Sequence, residues 1–327
     1  MVRRFLSSPV LGPIVAMLLV AVLVAISTDR FLTEGNLRNL ALQVSIVALV
    51  GIGSTLVIFV GGIDLSSGSM IALLTMLFAS MDKFLGIGFW PSIVATFICG
   101  AALGCVNGLL TAYLRIPSFI ATLAGLSAYR GIAFMFNNGS PIFDVSPLLD
   151  PIFYGRVAGI PLPLVYLVVC YGGAYWMMRY TRLGRSIYAV GGNAGAARLS
   201  GINVRRIELM AFVLAGIATA AGAVLMAARL NSGSPNYGVG MELQAIAAAI
   251  IGGASLTGGR GHVVATLFGA LTITIVQNGL NLNAVPTSTQ SVVIGAIILL
   301  AVGIDMWRRD VAGAVRRLVG ANTVDRN

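Results

Sequence analysis

Few residues of this chain could do bond-making chemistry, and their spacing argues against it. His262 is the sole histidine, which excludes a His-Glu-x-x-His zinc site and any histidine-cluster metal site, so no metal ligands are expected. Lys83 is the sole lysine and stands in Met81-Asp82-Lys83-Phe84. A Gly-x-x-x-x-Gly-Lys-Ser/Thr phosphate loop is therefore absent, and the chain carries no ATPase motif of its own. A Ser–His intramembrane protease would have to use His262, yet no Gly-x-Ser-Gly nucleophile turn is present. What remains is Asp64 between Ile63 and Leu65, Arg130 inside an apolar run, and the amides Gln43, Asn107, Gln277 and Asn278. Polar groups in such surroundings must be paired or hydrated. They suit a gated path, not a reaction.

Asp64 belongs to Gly61-Gly62-Ile63-Asp64-Leu65-Ser66-Ser67-Gly68, and Gly252-Gly253-Ala254-Ser255-Leu256-Thr257-Gly258-Gly259 repeats its Gly-Gly-x-x-Leu-Ser/Thr-x-Gly pattern. Both follow a small/apolar helical stretch, which suggests an internal duplication of the kind transporters carry. Paired glycines let the backbone unwind while hydroxyls satisfy the freed amides, so Gly61, Gly62, Gly252 and Gly253 are candidate gates. The competing reading is two tight turns in which Ser66 or Thr257 caps the next helix, with Asp64 at the positive end of a helix dipole. Arg130 follows Pro117 by 13 residues, some 20 Å along a helix at ~1.5 Å per residue. It snorkels to the surface, faces a cavity, or pairs with Glu242 or Asp64. Asn107, Gln277 and Asn278 fit interhelical hydrogen bonding better than substrate binding. Gly100, Gly104 and Gly108 mark a close-packed helix stripe.

The elements that must position these residues follow from composition. Of 327 residues, 57% are hydrophobic and 10% charged, against about 25% charged in a soluble domain, and mean hydropathy is +0.93. A soluble enzyme, a nucleic-acid binder and a disordered chain are excluded. The expected fold is all-α and polytopic in the lipid bilayer, a single transmembrane domain over 1–327. Ten apolar segments stand out: Leu11–Ser27, Leu40–Val60, Gly68–Met81, Trp90–Leu114, Ser118–Phe136, Leu162–Met178, Leu209–Ala228, Leu243–Leu256, Val263–Gly279 and Gln290–Met306. The third and eighth are short enough to be broken or re-entrant. If all ten cross, both termini share a side. Placing that side in the cytoplasm sorts fifteen basic residues inside and five outside (Arg30, Arg38, Lys83, Arg156 and Arg229), with Arg130 buried, as the positive-inside rule requires. Arg3-Arg4 before an apolar run also fits a cleavable signal peptide, but an uncleaved anchor makes this arithmetic close. Cys99, Cys105 and Cys170 sit in apolar runs and read as packing residues.

The most polar internal stretch is about 179–206, with a short tail at about 307–327. Within it Asn193 is a good N-cap, Ala194 to Ser200 makes two helical turns, and Gly201 suits a left-handed C′ position. The resulting small helix presents Ala196, Ala197 and Leu199 as a contact face, with Arg185 and Arg198 supplying charge. A basic loop binding lipid headgroups is the blander alternative; a docking helix for a cytosolic partner accounts better for the capped, compact design.

From Gly184-Arg185-Ser186-Ile187-Tyr188-Ala189-Val190-Gly191-Gly192-Asn193 through Ala196-Ala197-Arg198-Leu199-Ser200-Gly201-Ile202-Asn203-Val204, the chain resembles the cytoplasmic signature of ribose-type ABC sugar permeases. Gly61 to Ser69 resembles that family's GGIDLSVGS, and Arg115 to Leu123, Arg130-Gly131 and Ile251 to Gly261 resemble further family blocks. The similarity spans roughly residues 10 to 308. Ser67 departs from the usual Val, and Ala124 is inserted before Gly125. The resemblance implies a permease subunit that does no chemistry and binds no cofactor. ATP and Mg would sit on a partner cytosolic ABC ATPase, a second permease chain, identical or paralogous, would complete the pathway, and an extracytoplasmic sugar-binding protein would deliver the substrate at a bacterial inner membrane. The same analogy makes Asn193 to Gly201 the helix that couples ATPase closure to the membrane helices. Other readings are an ABC permease for a nucleoside, autoinducer or branched amino acid, and an ion-coupled secondary sugar transporter. The last is disfavoured because no span carries a chain of acids or histidines for a proton relay.

Overall fold

The structure is a computed structural model that describes residues 10–303; the expected tail at 307–327 and the end of the tenth apolar segment lie outside the described residues. Long apolar runs fold as helices because a backbone away from water must satisfy its own amides. The order is α1 (Leu11–Ser27), α2 (Glu34–Phe59), α3 (Ser67–Ala79) ending in a π turn (Ser80–Phe84), α4 (Phe89–Ala112), α5 (Ser118–Met135), α6 (Leu149–Tyr154), α7 (Leu162–Tyr180), α8 (Arg182–Gly192), α9 (Ala194–Leu199), α10 (Val204–Leu230), α11 (Met241–Ile251), α12 (Val263–Leu282) and α13 (Thr287–Gly303). Five are long and apolar enough to cross a membrane unaided: α2, α4, α5 with the 3-10 turn that follows it, α10 and α12.

α2 is apolar on every face and buried from Val44 to Phe59, so it forms the centre of the bundle, as a helix without a polar face must. α10 packs on both α2 and α4. The α4–α10 seam is made by the glycine stripe. A methyl at Gly100 would lie 2.7 Å from the Gly216 carbonyl oxygen, one at Gly104 would overlap that of Phe212, and one at Gly108 would meet the Leu209 side chain at 2.7 Å. Small residues in register allow this backbone approach, which substitutes for a hydrophobic driving force in lipid. α1 lies on α12, with Val24 over Gly279 and Phe31, Leu40 and Ile275 beneath. Outward-facing Leu19, Val94, Ile98, Val168 and Trp176 are exposed, the surface of a protein solvated by hydrocarbon.

The third and eighth segments are half-helices. At ~1.5 Å per residue, α3 extends about 20 Å and α11 about 17 Å, short of a ~30 Å hydrocarbon core. Their N-terminal ends abut, because Gly68 and Gly238 are in backbone contact and the Glu242 carboxylate lies over Gly68. Non-helical segments, residues 61–66 and 231–240, precede the two short helices.

The charges separate by end. Arg115, Arg198 and Arg205 line a cavity at one end, and Arg179, Arg182, Arg185 and Arg260 lie on the adjoining elements. At the other end Lys83 donates to the Phe143 carbonyl, Tyr154 donates to that of Arg229 at 2.9 Å, and two short antiparallel pairs form, Ile142–Phe143 with Ser232–Gly233 and Arg156–Val157 with Ile160–Pro161.

Candidate functional site

The α2–α3 break is held by a buried polar chain. α2 ends with Gly61 in the left-handed region (φ 86°), and Gly62 N–H returns to the Val57 carbonyl at 2.9 Å; this is the 6→1 bond of a glycine C-cap. The chain then runs extended to Asp64, whose carboxylate accepts from Ser66 N–H (2.8 Å) and from Ser66 Oγ–H (2.7 Å). Asn107 of α4 donates to Ser66 Oγ (2.8 Å), and Tyr129 of α5 donates to Asn107 Oδ1 (2.8 Å). Ser118 and Thr122 of α5 receive the Ile63 and Leu65 N–H groups at 3.0 and 3.1 Å. Asp64, Ser66 and Asn107 are all buried. This segment therefore has its amides satisfied by side chains of a neighbouring helix, the condition for non-helical backbone at membrane depth. Ser66 is not the expected side-chain cap, because Asp64 already engages its hydroxyl.

Arg130, one residue after Tyr129, donates to the carbonyl oxygens of Pro235 and Tyr237, the latter at 2.7 Å. These bonds clamp the segment leading to α11, and Glu242, one of the two acids offered as a partner, lies close enough for a charge interaction with the guanidinium. A guanidinium offers five donors in a fixed fork and can satisfy several carbonyls that helix geometry leaves open. Asn278 forms a reciprocal amide pair with Asn36 at 2.8 and 2.9 Å, joining α12 to α2. Gln277 is half-buried beside it.

The second glycine motif uses the same turn in a different register. Here Gly253, not Gly252, is left-handed (φ 85°), and Ala254 N–H returns to Ala249. Matched by geometry, Gly61 corresponds to Gly253, so the two motifs are offset by one residue and their following segments diverge. Thr257 bonds Ser255 at 3.0 Å, and α12 starts only at Val263 with His262 as its N-cap residue; Thr257 is not that cap. The two motifs share the turn but not the segment that follows it.

Between Gly61–Ile63, the α4–α5 turn (Arg115 to Phe119), Ala194 and Arg198 of α9, and Arg205 and Glu208 of α10 lies a cavity of about 550 Å³. It joins the segment after α2 to the polar loop. In that loop Asn193 Oδ1 accepts from Ala196 N–H at 2.9 Å, and Gly201 is left-handed (φ 82°), as the sequence pattern requires. The contact face differs from expectation. Ala197 is 5% exposed and packs inward, whereas Leu199 is 92% exposed and Ala196, Arg198 and Ser200 are also open. The sequence reading also missed α8, which Thr181 caps and which seats Ile187 and Val190 inward and carries Arg185 outside. The Ile187–Val190 spacing was its available signal. Tyr129, Ser118 and Thr122 were missed as well; nothing in their local sequence announces partners 22, 55 and 57 residues away.

The molecule is thus a helical bundle with long apolar spans, a buried polar seam beside an end cavity and a capped helix displayed at that end. The family model described as the branched-chain amino acid transport system / permease component matches residues 36–302, and the chain belongs to that family. It is 40% identical over 296 residues to the ribose import permease protein of Escherichia coli K12, covering 89% of this chain and 92% of that one. Against the ribose import permease protein of Bacillus subtilis 168 the figures are 40% over 297 residues, 90% and 92%. Against the D-allose transport system permease protein of E. coli K12 they are 35% over 293 residues, 88% and 88%. The chain is thus a permease of the ribose type. No solved structure matches it.

Proposed function

We propose that this chain is the membrane-spanning subunit of a binding-protein-dependent ABC importer that carries a monosaccharide inward, with ATP and Mg handled by a separate cytosolic subunit. The observation that carries this is near full-length similarity to ribose and allose permeases, and the buried polar seam after α2 supports it. In the complex, ten spans place both termini in the cytoplasm of a bacterial inner membrane. Two permease chains form the path, and an extracytoplasmic binding protein supplies the sugar. Arg185 and the segment from Asn193 to Gly201 meet the ATPase, with Leu199 as the central contact; Gly61, Gly62, Asp64, Ser66, Asn107, Arg130, Gly252, Gly253 and Thr257 form the gates. Gln277 and Asn278 hold helices together.

Selection rests with the binding protein, because a tight membrane site would slow release. The test is uptake by proteoliposomes holding the permease, its ATPase and its binding protein, offered labelled ribose, allose, xylose and leucine. ATP-dependent uptake of one sugar supports the reading. The family description favours a second one, and uptake of leucine alone would establish it. Uptake by the chain alone, driven by an ion gradient, would replace both with a secondary transporter.

A further inference from the structure

Three stretches of backbone meet at the cavity end with no side chains between them. α2 ends at Phe59, α8 ends in Gly191-Gly192, and the α11–α12 loop brings Gly258 and Gly259 against both. A methyl at Gly191 would overlap the Phe59 carbonyl oxygen and stand 2.5 Å from Gly259 N. One at Gly259 would lie 2.5 Å from Gly192 Cα, and one at Gly258 would lie 2.8 Å from Gly61 N and 2.9 Å from the Gly191 carbonyl oxygen. Gly259 N–H donates to the Phe59 carbonyl at 2.9 Å. One turn back on α8, the Tyr188 ring lies 5.0 Å from that of Phe59, and its hydroxyl donates to the Gly261 carbonyl at 3.0 Å. Only Asn193 separates this contact from α9.

We infer that Gly191 and Tyr188 are positioning residues that transmit displacement of α9 to both glycine turns. The inference rests on the permease reading, since it requires a nucleotide-driven partner to move α9. Side chains between two elements can absorb a shift by changing rotamer; backbone in direct contact cannot, and packed elements then move as a unit. Pushing α8 therefore pushes the last turn of α2, from which the Asp64 segment hangs, together with the loop after α11. Gly192 enters the contact through its backbone alone and has open space around its missing side chain, so an added methyl there disturbs nothing.

The test uses the complete complex in proteoliposomes and reads ATP hydrolysed per substrate imported. Gly191→Ala should raise that ratio roughly tenfold while ATPase activity stays within about twofold, and Tyr188→Phe should raise it several-fold, as loss of a coupling energy does. Gly192→Ala should match wild type. If Gly191→Ala does not assemble, Tyr188→Phe decides alone. An unchanged ratio in the assembling variants overturns the inference, as does equal loss of hydrolysis and transport, which marks a purely structural role. A wild-type complex that imports no substrate with ATP sinks the permease reading itself, and the inference with it.

Discussion

Asn107 stands at the centre of the buried seam, accepting from Tyr129 and donating to Ser66, both at 2.8 Å. Truncating it removes one bond from each of two buried hydroxyls, Ser66 remaining bonded to Asp64 at 2.7 Å and Tyr129 to the Leu103 carbonyl at 3.3 Å, at a cost of about 0.5–1.5 kcal/mol per bond. Asn107→Ala should therefore lower the melting temperature in detergent. Because its bonds are all internal, relative uptake of competing sugars should not change; a variant that inverts sugar preference would show that Asn107 touches substrate. His262 gives a pH signature. Burial, and then the nearby Arg179 guanidinium, hold its imidazole below the ordinary value of 6.5. The unfolded chain then binds this proton more readily, so the contribution to stability is complete above the unfolded value and is lost as pH falls toward the folded one. Melting should drop as pH falls below the ordinary imidazole value of 6.5, and His262→Gln should flatten that slope. An unchanged slope would mean that His262 protonates freely in the fold.

At the scale of elements, the α4–α10 seam tolerates no added carbon at Gly104, where a methyl would overlap the Phe212 carbonyl oxygen. Gly104→Ala should destabilise by about 1–3 kcal/mol through forced separation of the helices. Gly131→Ala, with open space around it, should be neutral or slightly stabilising in a helix. Equal melting of the two variants would refute backbone contact along this seam. α9 offers the opposite case. Leu199 is fully displayed while Ala197 is buried, so Leu199→Asp should leave the melting of the permease within about 0.5 kcal/mol of wild type. It should weaken ATPase co-purification by more than tenfold, as removal of a central contact does. Retained co-purification would move the docking surface elsewhere.

For the whole molecule the decisive property is which end faces which compartment. Arg198 lies at the cavity end and Arg156 at the opposite end. In a chain without Cys99, Cys105 and Cys170, Arg156→Cys should react with an impermeant maleimide in cells with an opened outer envelope. Arg198→Cys should react only after the inner membrane is broken. Reversed labelling would invert the topology, and labelling of both from outside would refute the odd number of crossings between them.

Composition and charge sorting determined by themselves that this is a helical membrane protein with one basic end, since both follow from transfer energies that belong to residues one at a time. The α9 caps were legible too, because Asn193 and Gly201 act within one turn. So was the seam of Gly100, Gly104 and Gly108, whose fourfold spacing already places them on one face. Tertiary structure decided what depends on partners distant in the chain. Tyr129 rather than a second charge completes the Asp64 seam, Arg130 clamps the Pro235 and Tyr237 carbonyls, and Ala197 turns inward while Leu199 does not. It also decided that the second glycine turn is shifted by one residue from the first. A left-handed turn forms wherever the helix it ends is stopped by its neighbours, and a local motif holds no information about where that is.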